Sequence, residues 1–152
     1  MSGYNFHDIF EALEFQDFAR DMIQVRDNLR FESFGQGKDG GMDARCLGED
    51  GFCTILQAKR WKNTSVLHLK ELKAEKEKMD LIKPDRYILV TTQNFSPLQK
   101  QRIKELFEPY ILREEDIVGE NDLNNYLSGF GGLYSKVEEK YFKLWIQNTD
   151  ML

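Results

Sequence analysis

Cysteine and histidine are scarce in this chain, with two of each among 152 residues. Two thiols, Cys46 and Cys53, do not make a disulfide framework and read as free thiols of a reducing compartment. His7 and His68 lie far apart, which argues against a zinc site and for surface or capping roles. No apolar run approaches the roughly 20 residues needed to span a bilayer. The N-terminus, "MSGYNFHDIFEALEF", has no basic region ahead of an apolar one and is not a secretory signal. A Walker A loop and a serine nucleophile elbow are both missing, so the chain itself reads as neither an NTP binder nor a serine hydrolase. A cytoplasmic protein without a membrane segment is expected.

Basic charge is also in short supply, since the net charge is −5. That argues against a chain coated for nucleic acid, but the charge is uneven. Residues 59–78 carry seven lysines and arginines against three glutamates, and residues 105–122 carry seven acids against Arg113 alone. The basic stretch could meet phosphates, or be a solvated helix whose Glu71 and Glu75 are relieved by neighbouring lysines.

Apolar periodicity predicts a helix over residues 8–28, with Ile9, Leu13, Phe18, Met22 and Val25 on one stripe. "LRFESF" (29–34) alternates as a strand does, and "GQGKDGG" (35–41) is a loop with four glycines in seven residues. "GKDGG" is no phosphate loop, because a strand rather than a helix follows it. "MDARCLG" (42–48) and "FCTILQAKR" (52–60) flank "EDG" and predict a hairpin with Gly51 supplying positive φ. A charged helix over 66–79, a buried strand over 86–92 and a helix over 96–107 capped by Ser96 come next. A short strand within 110–119 and two helices around a Gly129–Gly132 break complete the chain. The order predicts an α/β fold: a mixed sheet with an antiparallel hairpin, flanked by helices. Tyr141, Phe142, Leu144, Trp145 and Ile146 are too apolar for a free helix and are expected to pack on the sheet or meet a partner.

The hairpin fixes a cluster. With a three-residue loop at Glu49–Asp50–Gly51, Asp43 pairs across from Gln57, and Lys59 shares that face. Cys46 and Cys53 fall on opposite faces and cannot pair. A carboxylate and an amide oxygen suit a hard cation such as Mg²⁺. An ammonium beside them can orient a water and offset charge on a phosphoryl group. The spacing fits an Asp–Lys ion pair at a sheet edge equally well. A further acid for a metal site is offered by Glu14, Asp17 and Asp21, on about one face of the first helix. Trp61 either stacks on a base or sugar or covers the end of the hairpin.

"FESFGQGKDGGMDARCLGEDGFCTILQAKRW" resembles the Mrr-like branch of the PD-(D/E)xK nuclease superfamily, with its restriction-endonuclease-like fold. The matching residues are Gly41–Met42–Asp43 and Gln57–Ala58–Lys59, and the resemblance covers about residues 10–110. It implies a Mg²⁺-dependent endonuclease, with Mn²⁺ able to substitute, that hydrolyses double-stranded DNA through metal-activated water. Asp43 would be the central metal ligand, Gln57 the second through its side-chain carbonyl, with the Ala58 backbone carbonyl nearby. Lys59 would position the water. Asp39 matches an acidic position of the loop, and with Arg60, Trp61 and Lys62 it is a candidate DNA contact. Relatives commonly carry Phe-Glu in the first helix, where this chain has Phe15–Gln16, so the missing carboxylate falls to Glu14 or Asp17, with Glu14 preferred.

"DIVGENDLNNYL" and "EKYFKLWIQNTDML" resemble the segment after nuclease domains at the N-termini of STAND-type NTPases, several of which act in antiphage defence. Residues 1–118 would then be the nuclease domain, and 119–152 a helical extension that packs on it or leads to a downstream domain. The abrupt end at Met151–Leu152 points to a longer parent protein. The implied partners are double-stranded DNA, a downstream NTPase or sensor domain and further copies of the same protein. A nuclease-like fold kept as a non-catalytic binding or oligomerisation module is the alternative.

Overall fold

The computed structural model describes residues 3–32 and 43–150, apart from the side chains of residues 43 and 144–150. The expected first helix is two. Helix α1 (Phe6–Ile9) ends at an extended Phe10, and α2 (Ala12–Asp27) starts at Glu11. The break is local chemistry: Glu11 and Glu14 form a capping box that satisfies backbone N–H groups at the new N-terminus. Asn28 closes α2 in the left-handed region at φ 54.

Strands β1 (Asp43–Leu47) and β2 (Cys53–Lys59) form the antiparallel hairpin. Its register is the expected one, with Asp43 opposite Gln57 and Cys46 opposite Thr54. The Gly48 N–H donates to the Phe52 carbonyl at 2.9 Å, and Gly51 sits at φ 82, where a Cβ would be strained. Of residues 29–34, the described part makes a single antiparallel bridge, Glu32 to Arg45. The glycine loop lies outside the described residues.

Helix α3 (Leu69–Ile82) crosses to β3 (Arg86–Thr91), which pairs parallel to β2. Ser96 caps α4 (Pro97–Leu106) in a second capping box, with Gln99. A short 3₁₀ turn at Glu114–Asp116 leads into β4 (Ile117–Val118), parallel to β3. The sheet order is β1-β2-β3-β4. Helices α5 (Glu120–Gly129) and α6 (Ser135–Asp150) follow, and α6 leaves helical geometry at Phe142.

The sheet separates two cores. Ala44, Cys46, Leu56, Ala58, Ile88 and Val90 meet α2 together with Leu123, Val137 and Phe142 of the last two helices. On the other face Ile55, Tyr87, Leu89 and Ile117 meet α3 and α4 through Leu72, Met79, Ile103 and Phe107. Both faces are therefore dry, as parallel strands require. Cys46 lies in the first core and Cys53 against the second, both as free thiols. The N-terminus is tied to α5, where the Tyr4 N–H donates to Asn124 Oδ1 at 2.8 Å and Tyr4 stacks on Phe142 at 4.0 Å.

Candidate active site

Strand β2 is mostly apolar, with Thr54 near its start, until it reaches Gln57. Its alternation sends Leu56 and Ala58 toward α2 and Ile55, Gln57 and Lys59 toward α3. Gln57 is 1% exposed, so its amide must find partners within the protein. It finds two. Gln57 Nε2 donates to Glu75 Oε2 at 2.7 Å, and the Tyr87 hydroxyl donates to Gln57 Oε1 at 2.5 Å.

Glu75 joins Gln57 and Lys59 of the strand. Lys59 Nζ donates to its Oε1 at 3.2 Å, and Lys78 Nζ lies 3.5 Å from the same oxygen. Glu75 is 5% exposed. Its place in the charged run suggested a solvated helix face, and the structure corrects that. The buried residues of α3 are Leu72, Glu75 and Met79, spaced i, i+3 and i+7. That spacing is the signal by which sequence reasoning could have found Glu75. Across the hairpin, Asp43 is the register partner of Gln57.

The carboxylates of α2 are occupied elsewhere. Glu14 Oε1 accepts from the Glu11 N–H at 3.1 Å as half of the capping box. Asp17 is exposed and pairs with Arg20 at 3.3 Å. Asp21 accepts from Lys140 at 2.8 Å and from the Tyr141 hydroxyl at 2.6 Å. Burial alone would raise the Asp21 pKa, but those two hydrogen bonds together with the charges of Lys140 and Arg20 outweigh it, so the carboxyl titrates below its ordinary value. At the position of the family's Glu, Gln16 has its side-chain oxygen buried with no hydrogen-bond partner among the described residues.

Trp61 is 7% exposed, its ring stacked on His68 at 4.2 Å and its Nε1 donating to Glu71 at 3.1 Å. The ring thus closes the end of the strand and has little surface to offer a base. Arg60 Nε donates to the carbonyls of His7 and Phe10 at 3.1 and 2.6 Å, which anchors α1. Lys62 is exposed, and Asp39 lies outside the described residues.

Among the described residues no group of three or more His, Cys, Asp or Glu could hold a metal ion. The oxygens that the structure brings to the end of β2 are those of the Glu75 carboxylate and of the Gln57 amide, the latter accepting from the Tyr87 hydroxyl. All are hard oxygens, which fits Mg²⁺ or Mn²⁺ and not a soft metal.

A four-stranded mixed sheet with an antiparallel hairpin, helices on both faces and a Gln-x-Lys strand end defines a restriction-endonuclease-like domain. A profile of the restriction endonuclease family Mrr_cat matches residues 7–117, and the chain belongs to that family. This places it in the PD-(D/E)xK nuclease superfamily, and membership of a restriction endonuclease family implies a DNA-cleaving hydrolase. The chain is 33% identical over 140 residues to the uncharacterized protein y4cD of Sinorhizobium fredii (strain NBRC 101917 / NGR234), covering 91% of this chain and 21% of that protein. Among solved structures it is similar to the DNA modification-dependent restriction endonuclease AspBHI, with a TM-score of 0.61 and 16% identity over 93% of this chain and 38% of that one. A weaker likeness is to EndoMS in its apo form, with a TM-score of 0.39 and 17% identity over 72% of this chain and 44% of that one. The chain thus spans about a fifth of the curated relative it matches. No helix among the described residues is long and apolar enough to cross a membrane.

Proposed function

We propose that this domain is a Mg²⁺-dependent endonuclease of double-stranded DNA, and that it serves as the effector of a larger antiphage protein with a STAND-type NTPase. The observation that carries the reading is the convergence of Lys59, Gln57 and Glu75 at the end of β2, opposite the register position of Asp43. A divalent cation bound there supplies Lewis acidity toward a water and a phosphodiester oxygen. Lys59 has three donor protons and spends one on Glu75. The other two have no partner among the described residues and would orient the attacking water and offset charge that develops on the phosphoryl group. Asp43 and the Ala58 carbonyl are the further oxygens that would hold the ion. One site cuts one strand, so a double-strand break needs clustered copies, and activation by oligomerisation of the parent protein follows.

The test is plasmid cleavage by the oligomerised full-length protein with Mg²⁺ or Mn²⁺. Lys59→Ala is expected to lower the rate about a hundredfold or more. Undiminished cutting by that variant would sink the site. A second reading is favoured by the Gln57 amide, both ends of which are held inside the protein. In that reading the fold is a nucleic-acid-binding or oligomerisation module, and the unaltered protein leaves the plasmid intact in every assembly state.

A further inference from the structure

Glu75 is expensive where it stands. Its neighbours in the α3 stripe, Leu72 and Met79, are fully buried and apolar, and a leucine there would remove an ionised group from the interior at little cost in packing. The carboxylate is nevertheless present and in contact with both Gln57 and Lys59 of the strand.

The Gln57 amide explains how it is held. Tyr87 donates to Gln57 Oε1 and so fixes which end of the amide faces α3. The donor end points at Glu75, and the acceptor end is taken. A neutral residue thus occupies the strand position, and the negative charge of the cluster comes from the helix. An ionised carboxylate has about four acceptor positions. Among the described residues three donors reach Glu75: Gln57, Lys59 and Lys78.

We propose that Glu75 is the second carboxylate of the metal site, delivered by α3, and that Gln57 is a positioning residue that orients it. The roles expected for the strand are thereby divided: Lys59 remains on β2, while the charge sits one layer away. The inference rests on the nuclease reading above.

Manganese titration calorimetry on the full chain separates the two. The proteins to compare are the unaltered chain, Asp43→Asn, Glu75→Gln, and the exchange Gln57→Glu with Glu75→Gln. The exchange keeps an amide–carboxylate hydrogen bond with donor and acceptor reversed, and returns the charge to the strand. Glu75→Gln is expected to weaken Mn²⁺ binding at least about tenfold, and the exchange to restore most of it. A purely structural Glu75 would move the melting temperature and leave Mn²⁺ affinity alone. If Glu75→Gln binds Mn²⁺ as the unaltered chain does while Asp43→Asn does not, the assignment of Glu75 falls and the nuclease reading stands. If no protein in the set binds Mn²⁺, both fall. Should Glu75→Gln fail to fold, the exchange decides alone: binding near that of the unaltered chain supports the assignment, and its loss overturns it.

Discussion

Gln57 is a residue with no slack, because both ends of a 1%-exposed amide are committed. Gln57→Leu keeps the bulk but removes the hydrogen bond that Tyr87 donates and the one that Glu75 Oε2 accepts. Each buried group left without a partner costs about 1–3 kcal/mol. The variant is therefore expected to lower the urea midpoint by an amount worth at least that much, and an unchanged midpoint would show that water replaces the amide. At this scale the sequence was legible where geometry is local. Loop length and the period of two put Asp43 across from Gln57 without any knowledge of the rest of the chain. Glu75 was not legible as a site residue, because charge composition dominates its helix and masks the buried stripe. Glu14 looked available by spacing, but capping chemistry at Glu11 claims it.

Among the elements, the ends of helices carry the most specific chemistry. Ser96 with Gln99 closes the start of α4 as its sequence announces, and the Pro97 that follows suits the first turn. Helix α3 ends differently, on Lys83 at φ 55, a left-handed conformation that a side chain resists. Lys83→Gly is expected to stabilise the protein by about 0.5–1 kcal/mol, relieving that strain at some cost in chain entropy. Thermal unfolding checks it, and a lower melting temperature would show that the lysine stem packs usefully. The split of the first helix was the element least legible from periodicity. Ile9, Phe10 and Phe15 satisfy a continuous apolar stripe, and only the Glu11–Glu14 pair, three residues apart, marks the break.

For the whole molecule, electrostatics concentrate at the start of β3. Asp116 is fully buried and accepts from Arg86 at 2.7 Å and Arg26 at 3.2 Å, and Asp27 accepts from Arg86 at 2.8 Å. This network ties α2 to the sheet and to the turn before β4. Burial pushes the Asp27 pKa up, but the hydrogen bonds and charges of Arg26 and Arg86 push it down further, and the net shift is downward. A carboxyl whose folded pKa is depressed stabilises the fold above its unfolded value of about 3.9 and loses that contribution as pH falls through the folded value. Stability is thus expected to drop below about pH 4, and Asp27→Asn to flatten that limb while costing stability at neutral pH. Urea unfolding across pH measures both, and an unflattened acid limb in Asp27→Asn would assign the drop to other carboxylates. The layering of helices on a mixed sheet was readable from the order of periodicities. The partition into two cores was not, because it depends on which face each helix takes.

The distances along the chain add a last point. Gln57 and Glu75 are 18 residues apart, whereas the clasp between Tyr4 and Asn124 spans 120. Everything proposed for the chemistry lies in one uninterrupted stretch from Asp43 to Tyr87, and the distant ends of the chain brace it. Such a stretch is a portable cassette. Loop closure over so few residues is entropically modest, so the reactive end is specified by the same short segment that builds the hairpin and its crossover helix. Recombination with a relative that exchanges this segment as a block would carry the whole constellation with it, while an exchange that cuts between β2 and α3 would separate the lysine from its carboxylate.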